Sequence, residues 1–277
     1  MVIFTDVDGT LYDYDGNLSE KTVYAIKKMR ENGHRVYMVT GRSKAENKQE
    51  IWDIGFDGMI GGNGSYIEDN GKVLMHQTIT LEQCAHFVEW FKKRNIEYYE
   101  ESNNGLFASK NFSEVARIAL IKYSVGKGAN FDEVKDSKTE DMFPGLIYNE
   151  NLVRDDLNKV SFVLNSYDDY LEAIKEFPDM AVGTWGGKGE EALFGDLGVK
   201  NIDKGKSIKL LLDYLHEDVK NTYAIGDASN DIPMLKCCNI GITFSSGGDE
   251  IKAMADYISD DVANDGFYKA FKHFELI

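Results

Sequence analysis

Val2-Ile3-Phe4-Thr5-Asp6-Val7-Asp8-Gly9-Thr10 opens the chain with an apolar run that stops abruptly on acidic residues. A short run of strand formers followed by Asp-x-Asp-Gly reads as a buried β-strand that ends where two carboxylates and a tight turn begin. In an open α/β sheet, ligands bind beyond the carboxyl ends of the strands, which is where Asp6 and Asp8 fall. By itself the pentapeptide from Asp6 to Thr10 is equally an Asp-Gly turn after a strand. A calcium loop of the EF-hand type does not fit. Starting at Asp6 it needs Gly and Glu where the chain has Leu11 and Asn17, and starting at Asp13 it needs Gly at Leu18.

Outward from this stretch, strand and helix alternate. Tyr12 to Asn17 carries an Asp15-Gly16 turn, a short hairpin signal. Ser19 is placed to cap a helix running to about Asn32, where Gly33 ends it. Val36 to Val39 is a second buried strand, Ser43 to Ile54 reads as a helix, and Met59-Ile60 leads into Gly61-Gly62-Asn63-Gly64. Near Leu81 the regular alternation stops. Helices from Leu81 to Lys93 and Ser113 to Tyr123 mix with strands at Ile96 to Glu100, Val160 to Leu164 and Ala181 to Trp185. The βα rhythm returns with a helix from Ile208 to Leu215, a strand at Tyr223 to Ile225, a helix starting near Asn230 and a strand at Ile240 to Ile242. The pattern predicts an α/β fold, a Rossmann-like parallel sheet core split by an inserted α+β domain. The expected boundaries are 1–81 and 187–277 for the core and 82–186 for the insert, with Gly183 to Glu191 as a glycine-rich junction.

Composition narrows the function classes. The 277 residues are 43% hydrophobic, enough for packed cores, and carry a formal charge of −16. No Lys/Arg cluster offsets that charge, so nucleic acid and anionic membranes are not expected partners. The three cysteines, Cys84, Cys237 and Cys238, are odd in number and two are adjacent. That is no disulfide framework, and it fits a reducing compartment with the thiols as buried helix filler. With no signal-like or membrane-length apolar segment, the expected location is cytoplasmic.

Asp6 and Asp8 gain weight from a second acidic cluster, Gly226-Asp227-Ala228-Ser229-Asn230-Asp231, which also follows a buried strand directly. If both strands belong to one parallel sheet, Asp6, Asp8, Asp227 and Asp231 gather at one edge. Carboxylates crowded in this way require a counter-charge. A hard divalent cation with oxygen ligands supplies it, and Mg²⁺ is the usual one beside phosphate. Two smaller signals lie between. Thr40-Gly41-Arg42 follows the second strand, where a hydroxyl and backbone N–H groups suit phosphate oxygens. Lys204 opens a helix, where a solvated surface lysine is the commoner reading. Gly205-Lys206-Ser207 imitates the end of a P-loop, but the glycine that motif needs is Lys200.

Taken in chain order, Asp6-Val7-Asp8-Gly9-Thr10, Thr40, Lys204 and Gly226 to Asp231 resemble the four motifs of the haloacid dehalogenase-like hydrolase superfamily. The late Lys204 and the intervening insert look like its Cof-type, class IIB branch. Asn63-Gly64-Ser65, Asp249 to Asp256 and Asn264-Asp265-Gly266 extend the resemblance, whereas Phe244-Ser245-Ser246-Gly247 departs from that branch's usual turn. The resemblance implies a Mg²⁺-dependent phosphatase acting on a small phosphorylated metabolite, such as a sugar phosphate. It implies Asp6 as the nucleophile that forms an aspartyl-phosphate and Asp8 as the acid and base. The metal would be held by Asp6, the Asp8 carbonyl and Asp227, with Asp231 orienting ligands or water. Val7 N–H, Thr40, Gly41, Lys204 and Asn230 would bind the phosphoryl oxygens, while Arg42 competes with a surface ion pair. The insert would be a cap, with Tyr98, Tyr99, Phe107 and Trp185 as candidate pocket residues against an ordinary core role. A phosphomannomutase-like phosphomutase would share the same chemistry, and a non-catalytic phosphometabolite sensor would predict a broken motif, which is not found. Neither the oligomeric state nor the identity of the substrate follows from the sequence.

Overall fold

The structure is a computed structural model that describes residues 1–13, 16–126, 129–148, 150–187 and 189–277. The expected Asp15-Gly16 turn and the Gly183 to Glu191 junction include Asp15 and Lys188, which lie outside the described residues. In chain order, the first strands are β1 (Val2–Thr5), β2 (Arg35–Val39), β3 (Gly58–Gly61), β4 (Tyr66–Asp69) and β5 (Lys72–His76). Next come β6 (Tyr98–Ser102), β7 (Gly105–Ala108), β8 (Leu146–Ile147), β9 (Leu157–Val163), β10 (Ala181–Trp185) and β11 (Phe194–Gly198). The last three are β12 (Thr222–Ile225), β13 (Ile240–Phe244) and β14 (Tyr257–Ser259).

The chain forms two compact units, one of residues 1–41, 47–76 and 202–277, the other of 42–46 and 77–201. The first is built on a sheet of order β14-β13-β12-β1-β2-β3-β4-β5. Pairing is parallel from β14 through β3, and the β4–β5 hairpin adds an antiparallel edge. Alternate side chains of each strand feed opposite faces, as the twofold period of a strand requires. Ile3, Met38, Met59 and Ile225 pack with Ala25, Ile26, Met29, Phe267 and Phe271 on one face. Phe4, Tyr37, Val39 and Ala224 pack with Ile208, Leu211, Met234 and Leu235 on the other. Burial on both faces explains why the strands read as continuous apolar runs. Helix Glu20–Glu31 starts as expected, with the Ser19 hydroxyl accepting from Thr22 N–H, and ends at Asn32 before Gly33 at φ 84°.

The second unit carries a sheet of order β10-β11-β9-β6-β7-β8, antiparallel except for β7–β8. Helix Leu81–Arg94 packs Phe87 and Phe91 on one face of it, and helix Phe112–Gly126 packs Phe112, Ala116 and Leu120 on the other.

Two details differ from the sequence reading. Residues 187–201 join the second unit, because β11 pairs antiparallel with both β9 and β10. The run Ser43 to Ile54 is not one helix but a turn at Lys44–Glu46 and a short helix at Gln49–Trp52. There the Glu46 carboxylate folds back to accept from Ser43 N–H and Oγ at 2.6 and 2.9 Å, capping the Lys44–Glu46 turn at its start.

Candidate active site

The acidic residues converge in the first unit at the carboxyl ends of two neighbouring parallel strands, β1 and β12. Asp6 N–H donates to Ile225 O at 3.0 Å, extending the β1–β12 pairing to the residue that carries the carboxylate. The chain then wraps around the Val7 carbonyl, which accepts from Leu11 and Tyr12 N–H at 2.9 and 3.1 Å. This turn passes through Gly9 at φ 79°, where a Cβ would run into the Asp227 carboxylate. Glycine is required there twice over, for its backbone angle and for the space. Thr10 Oγ1 donates to Asp227 Oδ1 at 3.3 Å, tying the first acidic loop to the second.

After β12 the second loop is organised by Asp231, which is fully buried. Its Oδ2 accepts from Asp227 and Ala228 N–H, each at 3.1 Å, and its Oδ1 from Lys204 Nζ at 2.5 Å. Lys204 Nζ also reaches Asp6 Oδ1 at 2.6 Å. Lys204 is 1% exposed, so the surface reading does not hold, whereas Lys206, two residues on, is exposed. Lys204 is placed by the first turn of helix Lys204–Leu215, whose start is set by the Asp203 carboxylate accepting Lys206 N–H at 2.8 Å.

Oxygen atoms of Asp6, Asp227 and Asp231 lie within 4.8 Å of one another, all three residues being buried. Three carboxylates facing one ammonium leave an excess of negative charge. Burial first, then the Asp231 charge, pushes the Asp6 pKa well above the ordinary carboxylate range, although Lys204 pulls against them. Burial alone would depress the Lys204 pKa, but Asp231 and Asp6 outweigh it and hold the ammonium charged. The donors are all oxygen, with no His or Cys among them. Such a set fits a hard divalent cation of the Mg²⁺ or Ca²⁺ class rather than zinc.

The other expected residues fall as follows. Asp8 is exposed next to Asp6, outside the carboxylate cluster, and Asn230 is exposed on the short turn Ser229–Asp231. Val7 is buried in the core. Thr40 is buried at the end of β2, donating its N–H to Ile60 O at 2.9 Å and accepting from Asn63 N–H at 3.2 Å. Gly41 lies against the Asn63 amide, with room for no larger residue without displacement. Arg42 belongs to the second unit's segment and donates to Glu46 O at 3.4 Å. Phe244 to Gly247 forms an ordinary closed turn, with Gly247 N–H donating to Phe244 O at 3.0 Å. In the second unit, Tyr98, Tyr99 and Phe107 are buried, with Tyr98 and Tyr99 in its apolar clusters, and Trp185 stacks on Phe194 with ring centroids 3.9 Å apart.

Three supporting residues were given no role by the sequence, although Thr10 and Asn63 lie in stretches that carry the resemblance. Thr10 bridges the loops, Thr243 Oγ1 holds Gly226 O at 2.8 Å, and Asn63, at φ 54°, buries an Oδ1 that has no hydrogen-bond partner among the described residues. A left-handed Asn between glycines was the available clue for the last.

Among the described residues, no helix is long and apolar enough to cross a membrane. A family described as haloacid dehalogenase-like hydrolase matches residues 3–271. The Bacillus subtilis protein named 5-amino-6-(5-phospho-D-ribitylamino)uracil phosphatase YcsE is 23% identical over 277 residues, covering 99% of this chain and 96% of that protein. Among solved structures, the haloacid dehalogenase-superfamily phosphatase BT1666 of Bacteroides thetaiotaomicron superposes with a TM-score of 0.77 at 27% identity, covering 100% of this chain and 95% of its own. The subclass IIB sugar phosphatase BT4131 gives a TM-score of 0.77 at 22% identity, over 100% and 99% of the two chains, a likeness of fold. With the four sequence signals brought to one sheet edge and the family matched over nearly the whole length, this chain belongs to the haloacid dehalogenase-like hydrolases.

Proposed function

We propose that this phosphoric monoester hydrolase removes phosphate from a small metabolite through a covalent intermediate on Asp6, with Mg²⁺ as its cation. The observation that carries the reading is the buried Lys204 ammonium held between Asp6 and Asp231, with the Asp227 carboxylate beside them at the end of the same sheet.

In this reading Asp6 attacks phosphorus and the ester oxygen leaves; the carboxylate splits one hard displacement into two easier ones. Asp8 delivers a proton to the departing oxygen and afterwards takes one from the water that hydrolyses the acyl phosphate. Its exposure next to the buried Asp6 suits a group that must exchange protons with solvent. Lys204, Thr40, Gly41 and Asn230, with the Val7 N–H, hold the phosphoryl oxygens. Asp6, the Asp8 carbonyl and Asp227 hold Mg²⁺, which supplies charge neutralisation for the transferring group. Asp231 is a positioning residue, since both of its oxygens are already engaged by Lys204 and two backbone N–H groups. The substrate class rests on the relatives' names, and free Cys84, Cys237 and Cys238 support a reducing, cytoplasmic setting. We assign the choice of leaving group to the second unit.

Mg²⁺ binding should be visible in stability. The raised Asp6 pKa is a penalty on the folded state: stability falls as pH rises through the unfolded value near 3.8, and the loss is complete above the folded value. At neutral pH, above the unfolded value, the metal-free unit therefore carries this penalty. A free Mg²⁺ concentration of 100 times Kd should add about 2.7 kcal/mol. For a unit of this size that raises the midpoint by roughly 5 to 10 °C. Asp227→Asn should lose most of this shift while its metal-free form melts no lower than the parent. A thermal titration following the first unit's transition reads both, and an undiminished shift in Asp227→Asn would place the metal elsewhere.

A further inference from the structure

Asn63 has no part in the chemistry proposed above, yet it stands between two of the segments that carry it. Its backbone N–H donates to Thr40 O at 3.2 Å, and its Oδ1 lies against Gly41, 3.0 Å from where a Cβ would stand. The next residue, Gly64, meets the start of the Lys204 helix. Ser207 Oγ donates to Gly64 O at 2.6 Å, and a Cβ on Gly64 would run into Asp203 O at 2.6 Å. In the sheet, β3 lies beside β2 and β2 beside β1, so Asn63 follows the strand two places from the one that leads to Asp6. Two strand spacings come to about 10 Å, room for a phosphoryl group hydrogen-bonded on both flanks.

The carboxamide itself is uncommitted. Oδ1 is enclosed without a donor and Nδ2 meets no acceptor among the described residues, while Asn63 as a whole is half-buried. An enclosed amide oxygen with no partner is a cost to the folded state. The backbone adds a second cost. Asn63 adopts φ 54° and ψ 27° between Gly62 and Gly64, a left-handed conformation that another glycine would take with less strain. Two costs kept at one side chain, beside Gly41 and the Lys204 helix, point to a ligand that this side chain serves. Oδ1 is turned onto Gly41, with Nδ2 farther from it at 3.7 Å, so the amide donor is the end left for that ligand. An amide N–H suits an anionic oxygen.

We infer that Asn63 is a further substrate-binding residue, whose Nδ2 donates to an oxygen of the transferring phosphoryl group alongside Thr40, Gly41 and Lys204. The inference rests on the phosphoryl site proposed above. Asn63 adds no charge and moves no proton. It holds the phosphoryl group in the ground state and the transition state alike, so its loss should raise KM more than it lowers kcat. Orthophosphate, which shares the same oxygens, should lose affinity in parallel.

The test uses two substitutions that both tolerate a left-handed backbone. Asn63→Gly removes the carboxamide, and Asn63→Asp keeps its shape but replaces the donor with a carboxylate. The Mg²⁺-loaded protein turns over p-nitrophenyl phosphate while orthophosphate is titrated as a competitive inhibitor, and each variant is also melted. Asn63→Gly should weaken orthophosphate inhibition and raise KM by about tenfold or more, the usual worth of a hydrogen bond to a charged group, with a melting midpoint no lower than the parent's. Asn63→Asp should bind orthophosphate more weakly still, because the added carboxylate repels it. A side chain that only supported the turn would lower the midpoint and leave both constants where they were. Orthophosphate inhibition within about twofold of the parent in either variant would overturn the assignment, as would a fall in kcat with KM unmoved. Lys204→Ala separates this inference from the reading beneath it. Parental orthophosphate inhibition in that variant would remove the proposed phosphoryl site itself, whereas a loss there beside parental inhibition in Asn63→Gly would remove Asn63 alone.

Discussion

Asp6→Asn is expected to lower kcat by at least about a thousandfold while leaving the fold intact, because an amide of the same shape cannot form the acyl phosphate. The variant should also be no less stable than the metal-free parent at neutral pH. Asp6 is buried beside Asp231 and Asp227, and its raised pKa marks a charge that the folded state holds at a cost. Removing it leaves the Lys204 ammonium with Asp231 at 2.5 Å, so the cation is not stranded. The two readouts separate chemistry from folding. Steady-state kinetics on a variant with a parental melting profile should show the loss, and residual activity within tenfold of the parent would remove Asp6 as nucleophile.

Lys204→Ala should be costly in both respects. Taking away one member of a buried charge group typically destabilises by about 3 to 5 kcal/mol, because the partners stay buried without compensation. Here two carboxylates, Asp6 and Asp231, would be left facing each other. The raised Lys204 pKa means that its stabilisation is fully present below the unfolded value near 10.5 and is lost only as pH rises through the folded value. The deficit of Lys204→Ala should therefore be constant through neutral pH and shrink in acid, where the carboxylates protonate. Mg²⁺ should recover part of it by offering the cluster another cation. Lys206→Ala, which loses an exposed pair with Asp203 at 3.6 Å, should stay within about 0.5 kcal/mol of the parent. Denaturant titrations of the two variants that gave equal stabilities would contradict the buried-cation account.

The strand-end aspartates could be read from the chain because each follows a short run buried on both faces. Val2 to Thr5 and Thr222 to Ile225 have no alternation to obscure, and the acidic residues mark where they stop. Lys204 could be identified only by resemblance, since nothing local distinguishes a lysine that turns into a protein from one that turns to water. Strand β11, Phe-Gly-Asp-Leu-Gly, escaped because glycine and aspartate rank low as strand formers. Its Gly195 lies under the Phe162 ring, which leaves no space for a Cβ, so the composition that hides the strand is what the packing demands. The break in Ser43 to Ile54, between the turn at Lys44–Glu46 and the helix at Gln49–Trp52, is invisible to periodicity, since Ser43 and Glu46 form a contact that ordinarily starts a helix.

The pairing of β1 between β2 and β12 also bears on how the chain is made. Its first neighbour emerges from the ribosome almost at once, but Asp227 lies 217 residues beyond Thr10, its hydrogen-bond partner. At ordinary translation speeds β1 keeps one open edge for about ten to forty seconds, long enough for the second unit to be synthesised and to collapse by itself. A folded insert shortens the effective loop that the last strands must close. Nascent chains halted before residue 222 should accordingly show a protease-resistant fragment from residues 77–201, while residues 1–41 remain cleavable until β12 arrives.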